Sequence, residues 1–303
     1  MKKLIENVSQ LNVIPQSFEK FSKPQNVLMV DPCYFDVTYA INDHMTNEAG
    51  TLNKIDKNKA TEQWENLKEI YKKLDFNVVV CPAQRDLPDM VFCANQCFPF
   101  YTKNYEKHAI LSNMHHPQRN LEVGFIHDFL VSQNYQTHRI ASRTEKYFFE
   151  SMGDMLWLND HRFLLGGYGF RTEKRIYDKI SEYLDVPIAL FELKNPKFYH
   201  LDTCLSVLNS TTAMYCEEAF TAQGLLLLKS IFSNLIKISE QGSDSPYFAC
   251  NAHCPDEKNV IIQKGCTEAN QKLKEQEFVI HEVDTNEFIQ AGGSVFCMKL
   301  MFY

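Results

Sequence analysis

Asp202-Thr-Cys-Leu-Ser-Val-Leu208, closed by Asn209-Ser210, is a short apolar run that opens on an acid and stops at a turn pair. The same theme recurs in Asp89-Met-Val-Phe92, Asp154-Met-Leu-Trp-Leu158 before Asn159-Asp160, Phe248-Ala-Cys-Asn251 before Val260-Ile-Ile262, and Gly293-Ser-Val-Phe-Cys297. The starts at 154, 202, 248 and 293 lie 48, 46 and 45 residues apart, a period that suits one supersecondary unit each. Between the runs, windows 56–75, 118–133, 172–184, 216–233 and 266–276 place apolar residues at three- and four-residue spacing, which predicts helices. Each is followed by a strand pattern: Val78-Val-Val-Cys81, Tyr135-Gln-Thr-His-Arg-Ile140, Ile188-Ala-Leu-Phe191, Leu235-Ile-Lys-Ile238 and Phe278-Val-Ile-His281. An insertion over 101–117, rich in His and Asn, breaks the spacing after the first unit. The pattern predicts an α/β chain of five pseudo-symmetric units, each helix, strand, loop and hairpin, around one central axis. No linker divides the chain, and Gly242-Ser-Asp-Ser-Pro246 reads as a loop. The expectation is one domain over 1–303, with residues 1–26 a peripheral N-terminal extension.

The 303 residues are 45% apolar and 13% aromatic, enough for a sizeable core. A net charge of -7 without a stripe of Lys and Arg argues against nucleic acid, whose binding needs clustered cations to displace counterions. The expected partner is a small molecule, and the sequence leaves a homo-oligomer open. The start Met1-Lys-Lys is followed by no apolar signal segment, and no apolar run reaches 18 residues, so neither secretion nor a membrane is expected. Ten Cys residues without a framework spacing then read as reduced thiols in a cytoplasmic protein. Cys93 with Cys97, and Cys250 with His253 and Cys254, lack the tight knuckle spacing of structural zinc, so they read as apolar fillers, with no metal and no cofactor.

In an equivalent-unit ring, residues distant in sequence converge. His200 and Cys297, 97 residues apart in strand-like runs, then pair as imidazole and thiolate, which is nucleophile chemistry. Glu150 and Asn95 hold equivalent places in other units, and Asp202, two residues past His200, faces the same side if that segment is a strand. Taken singly, each of these has a bland reading: a core cysteine or histidine, a solvated acid, a surface Arg171, an amide capping a turn at Asn95 or Asn42. Together they point to a site.

Seven motifs in register carry a family resemblance: Leu28-Met-Val-Asp-Pro32 with Tyr39-Ala-Ile-Asn-Asp-His-Met45, Pro88-Asp-Met-Val-Phe-Cys-Ala-Asn95, Phe149-Glu-Ser-Met-Gly-Asp154, Gly167-Tyr-Gly-Phe-Arg-Thr-Glu173, Phe198-Tyr-His-Leu-Asp-Thr-Cys204, Phe248-Ala-Cys-Asn251 and Ala291-Gly-Gly-Ser-Val-Phe-Cys297. Through them the chain resembles the amidinotransferase and arginine deiminase superfamily, the pentein or α/β-propeller fold, and most closely its arginine dihydrolase branch. The resemblance implies attack on a guanidino or ureido carbon through a covalent thiouronium-type adduct. Cys297 would be the nucleophile, His200 the proton shuttle, and Glu150 a partner of His200 or of a substrate nitrogen. It further implies substrate binding by Asn95, Asp202, Arg171, Asn42 and Asp154.

The chemistry is consistent with that assignment: a guanidinium is resonance-stabilised, so the site must supply a thiolate, a proton for departing ammonia and anions that hold the planar cation. A free thiol, with pKa near about 8.5, needs His200 or the bound cation to favour its ionised form. Gly292 and Gly293 let backbone approach the reacting centre. The position of Asn95 is commonly a carboxylate in the deiminases and dimethylarginine hydrolases that the chain resembles, and Asn in the dihydrolases. An amide donates as well as accepts, so it suits citrulline's ureido oxygen where a carboxylate repels it. Two departures stand out: Asn113 lies where the dihydrolases carry a carboxylate-gripping Arg, which leaves Arg171 for that role, and Ser151-Met152 replaces a smaller pair ahead of Asp154. The expected activity is arginine to ornithine, carbon dioxide and ammonia by way of citrulline. The alternatives are a dimethylarginine hydrolase or arginine deiminase, an amidinotransferase to an amine, and a non-catalytic pentein binding protein.

Overall fold

Asn209 shows how one unit is made. Its side-chain oxygen accepts from the Thr211 and Thr212 amides at 2.9 and 2.8 Å, closing a turn between the antiparallel strands Leu205–Val207 and Thr212–Cys216. Thr221 then caps the helix Ala222–Ile231 by accepting from Gly224 N–H, and that helix returns the chain to strand Asn234–Ile238, parallel to Thr212–Cys216. The structure, a computed structural model, describes residues 4–140, 144, 147–239 and 248–303, so the Gly242–Pro246 loop lies outside the described residues.

Among the described residues the strands form five separate sheets. The plan of hairpin, helix and parallel strand recurs in Cys97–Tyr101, Lys107–Leu111 and Gln136–His138, and again in Met155–Leu158, His161–Tyr168 and Ile188–Glu192. In the sheet of Asn259–Gln263 and Val279–Val283, a single bridge from His253 to Ile261 stands in for the hairpin strand. The remaining sheet joins the two ends of the chain: Leu300–Phe302 runs antiparallel to Asn26–Val30, which pairs in parallel with Asn77–Cys81. The N-terminal segment adds an edge strand, Leu4–Ile5, beside Ile188–Ala189, and Gln16 Nε2 donates to the Ser210 and Ile231 carbonyls. No helix among the described residues is long and apolar enough to cross a membrane.

The helices fall near their expected windows, with ends set by local chemistry. Lys57–Lys73 begins at Asp56, whose carboxylate accepts from the Asn58 and Lys59 amides, and Thr267–Glu275 matches the last window. The window 118–133 is divided into Pro117–Asn120 and Glu122–Ser132, 172–184 is helical only from Ile176, and 216–233 opens with a 3-10 turn, Glu217–Ala219. The larger correction concerns the runs that start each unit. Pro88–Val91, Cys93–Asn95, Ser151–Gly153, Leu201–Thr203 and Ala249–Asn251 are 3-10 turns that precede the strands, and Cys297 lies ahead of Leu300–Phe302. Every residue in these turns except Met152 is buried, so no polar face marks a period, and a short apolar run of this kind does not distinguish strand from turn.

Candidate active site

The buried turns meet in one place. Asn42, Asp89, Asn95, Arg119, Arg171, Tyr199, Gly293 and Cys297 line a small pocket of about 10 Å³. Gly292 has φ +89°, and a Cβ there would sit 2.7 Å from Asn42 Oδ1, so only glycine brings this backbone under the Asn42 loop.

The nucleophile candidate is held by a side chain from another unit. Asn251 Oδ1 accepts from the amides of Ser294, Phe296 and Cys297 at 3.2, 3.1 and 3.4 Å, and its Nδ2 donates to Cys297 Sγ at 3.2 Å. Cys297 Sγ in turn donates to Asp202 Oδ2 at 3.3 Å. Burial pushes the Cys297 thiol well above its ordinary range and the Asp202 carboxylate adds to the shift. Burial likewise raises Asp202 to about 7. In this arrangement the sulfur is a thiol that donates, not a thiolate.

His200 sits on the turn before Leu201–Thr203, with Nε2 2.8 Å from Glu150 Oε2. Glu150 Oε1 accepts from the His115 amide at 2.9 Å, and Arg171 Nη1 donates to Oε2 at 3.2 Å. Burial alone would raise the Glu150 pKa, but Arg171 and His200 hold it well below the usual carboxylate range. Glu150 is therefore an anion that fixes the imidazole. Among the described residues His200 and Cys297 share no hydrogen bond: the imidazole faces Glu150 and the sulfur faces Asp202 and Asn251.

Arg119 fixes the orientation of the Asn95 amide. Its Nη1 donates to Asn95 Oδ1 at 2.9 Å, which leaves Nδ2, buried and without a partner, as the group Asn95 offers a ligand. Asp89 Oδ2 accepts from Tyr39 OH at 2.8 Å, while its Oδ1 and Asp202 Oδ1 are buried without partners. Buried polar atoms are almost always bonded, so these three mark where polar groups of a ligand would dock. Arg171 Nη2 donates to Ile41 O at 2.8 Å and its guanidinium lies 4.7 Å from the Tyr199 ring centroid. Asn42 Nδ2 donates to Ala291 O at 3.1 Å, so pocket groups pin the 39–45 loop from several sides.

Cys297, Asn95, Arg171 and Asn42 thus line the pocket, with Asp202, Glu150 and His200 bonded to its walls. Asp154 lies apart from the lining: its Oδ1 accepts from the Leu201 amide at 3.0 Å and so steadies the turn that carries His200. The sequence reading missed Asp89, Arg119 and Asn251. Arg119 supplies a cation despite Asn113; in Pro117-Gln-Arg-Asn-Leu-Glu122 its three-residue spacing from Glu122 is that of an ordinary surface pair, and only the structure shows both members buried. No group of three or more His, Cys, Asp or Glu among the described residues is arranged to hold a metal, and His253 Nδ1 is 2.9 Å from Tyr71 OH.

Residues 31–302 match the family described as N,N dimethylarginine dimethylhydrolase, eukaryotic. The chain belongs to this family. A dimethylarginine dimethylaminohydrolase of Mycobacterium tuberculosis is 32% identical over 272 residues, covering 90% of this chain and 84% of that protein. A bifunctional arginine dihydrolase/ornithine cyclodeaminase of Synechocystis sp. is 30% identical over 275 residues, again 90% of this chain but only 37% of that protein's length. The solved N-terminal domain of a cyanobacterial arginine dihydrolase, bound to substrate, aligns with a TM-score of 0.82 and 29% identity over 91% of this chain and 97% of that domain. The part of the chain that matches the dimethylarginine dimethylhydrolase family contains every residue that lines the pocket, from Ile41 to Cys297.

Proposed function

We propose that the protein hydrolyses the guanidino group of arginine through a Cys297 adduct and runs on through citrulline to ornithine, as an arginine dihydrolase. The observation that carries this reading is Asn95: with Oδ1 committed to Arg119, the amide presents a donor, which suits a ureido oxygen. In the reading, the five sheets surround one axis as an α/β-propeller within a single domain, and the C-terminal strand Leu300–Phe302 closes the ring on Asn26–Val30. Asp89 takes the α-ammonium, Arg119 and Arg171 attract the α-carboxylate, and the guanidinium lies between Cys297 and His200 with Asp202 beside it.

The bound cation beside Cys297 favours transfer of the thiol proton to Asp202 Oδ2, which already accepts from Sγ and returns the proton when the sulfur is released, and the sulfur then adds to the guanidino carbon. His200, held in place by Glu150, protonates the departing nitrogen; the C–N bond breaks and ammonia leaves a thiouronium. His200 then takes a proton from water, whose oxygen adds to the carbon, and the C–S bond breaks to free citrulline. The same cycle on citrulline expels a second ammonia and leaves a carbamate, which loses carbon dioxide to give ornithine. Metal and cofactor have no part in this scheme.

A second reading, a dimethylarginine hydrolase that releases dimethylamine, is favoured by the family match and by the Mycobacterium tuberculosis relative. Mass spectrometry of products from arginine, citrulline, dimethylarginine and agmatine separates the two. Ornithine from both arginine and citrulline is the expected result. Turnover of dimethylarginine alone would overturn the dihydrolase reading, and a preference for agmatine, which keeps the amine but lacks the carboxylate, would overturn the roles of the two arginines.

A further inference from the structure

Two residues past Cys297, Lys299 belongs to a different cavity. It lines a space of about 110 Å³ with Phe296, Trp157, Met152, Met301 and His253, and this space shares no lining residue with the catalytic pocket. Lys299 is fully buried, and its Nζ lies 3.1 Å from the Phe296 ring centroid without any hydrogen-bond partner. No Asp or Glu lines the cavity; its other cation, Lys23, already pairs with Glu257. Burial holds His253 well below its usual pKa, with the Lys299 charge adding to the shift, so the imidazole is neutral.

An ammonium stripped of water is strongly unfavourable unless an anion or a set of acceptors meets it. Here the protein contributes a ring face, a weak partner, and the charge of Asp202, which acts on the ammonium without a hydrogen bond to it. Most of the remaining wall is apolar, and the Asn159 amide there already donates to Asp160, which suits a short hydrocarbon tail. A cavity of about 150 Å³ accommodates benzene, so this one takes roughly four to six non-hydrogen atoms.

We propose that this cavity is a second ligand site, distinct from the catalytic pocket, which binds a short alkyl monocarboxylate with its carboxylate on Lys299 Nζ and its tail against Met152, Trp157 and Met301. The site does not depend on which guanidino compound the enzyme hydrolyses. Methyl-labelled methionine gives a direct test, because Met152 and Met301 line this cavity and Met45 lines the catalytic pocket. In wild-type protein at pH 6, below the Lys299 pKa of about 7, and at constant ionic strength, sodium butyrate should shift the Met152 and Met301 methyl resonances saturably, while isosteric butyramide should not. Lys299→Met removes a buried unpaired cation and keeps an unbranched chain, so it should fold and require at least tenfold more butyrate for the same shift. Unmoved Met152 and Met301 signals, a response confined to Met45, equal response to butyramide, or unchanged affinity in Lys299→Met would each overturn the site.

Discussion

Cys297 lies in a setting that raises its pKa, which separates its role from that of a permanently ionised thiolate. Burial and Asp202 both favour the protonated sulfur, so iodoacetamide should alkylate Cys297 slowly at neutral pH in the free protein. Cys297→Ser should fold normally and lose activity by several orders of magnitude, and an adduct mapped by mass spectrometry to another cysteine would remove Cys297 from the mechanism. His200→Ala should trap the adduct, since the step that activates water fails; an unchanged rate of adduct breakdown would exclude His200 from that step. At Asn95 the charge of one side chain decides the product. Asn95→Asp still accepts from Arg119 but loses the Nδ2 donor and places an anion against the ureido oxygen. Citrulline should accumulate, the second step slowing at least tenfold for a loss of about 1.4 kcal/mol or more. Product ratios over time read this out, and a variant that still yields ornithine at the wild-type ratio would refute it. These identities were legible in the sequence because Cys, His, Glu and Asn lay at equivalent places in repeated motifs. Asp89 and Arg119 were not, because what brings them to the pocket is tertiary burial, which no local pattern announces.

The turn that presents Cys297 is built from hydrogen bonds that converge on Asn251. One amide oxygen meets three backbone N–H groups of the 294–297 segment, and the amide nitrogen meets both the sulfur and Asp202 O. Removal leaves several buried donors without acceptors, each costing about 1–3 kcal/mol. Asn251→Ala should therefore lower the melting temperature and also reduce kcat more than it raises KM, because the displaced sulfur affects the chemical step most. Calorimetry and steady-state kinetics check both halves; a destabilised protein with wild-type kcat would show that Asn251 supports the fold alone. At this scale the helices and the strands that follow them were legible apart from their ends, since amphipathic periods and the Asp56, Thr221 and Asn209 side chains act locally. The sequence reading misjudged the unit starts as strands. A turn such as Leu201–Thr203 is fixed by tertiary bonds, Asp154 to the Leu201 amide among them, and those partners are distant in sequence.

Across the whole molecule, the chain's two ends meet in one sheet, and Lys299 lies just before the strand that completes it. That lysine leaves a mark on the stability of the entire fold. Burial lowers its pKa from the ordinary 10.5 to about 7, so from pH 7 upward the unfolded chain binds a proton at this position that the folded protein does not. Stability rises with pH wherever the unfolded state binds more protons, so Lys299 contributes a positive slope above pH 7. Other buried groups act elsewhere. Asp202, raised from 3.8 to about 7, gives a falling contribution between those values, and His253, depressed below 6.5, gives a rising one at acidic pH. The buried thiols, raised above 9.0, oppose Lys299 only once unfolded cysteines begin to ionise. Between pH 7 and about 8.5 the Lys299 slope is thus the main positive contribution expected from the buried groups. Wild-type protein should gain melting temperature across that interval, and Lys299→Met should be more stable at pH 7 and flat or falling with pH. Parallel slopes for the two proteins in differential scanning calorimetry would show that Lys299 does not titrate in the fold as its burial requires.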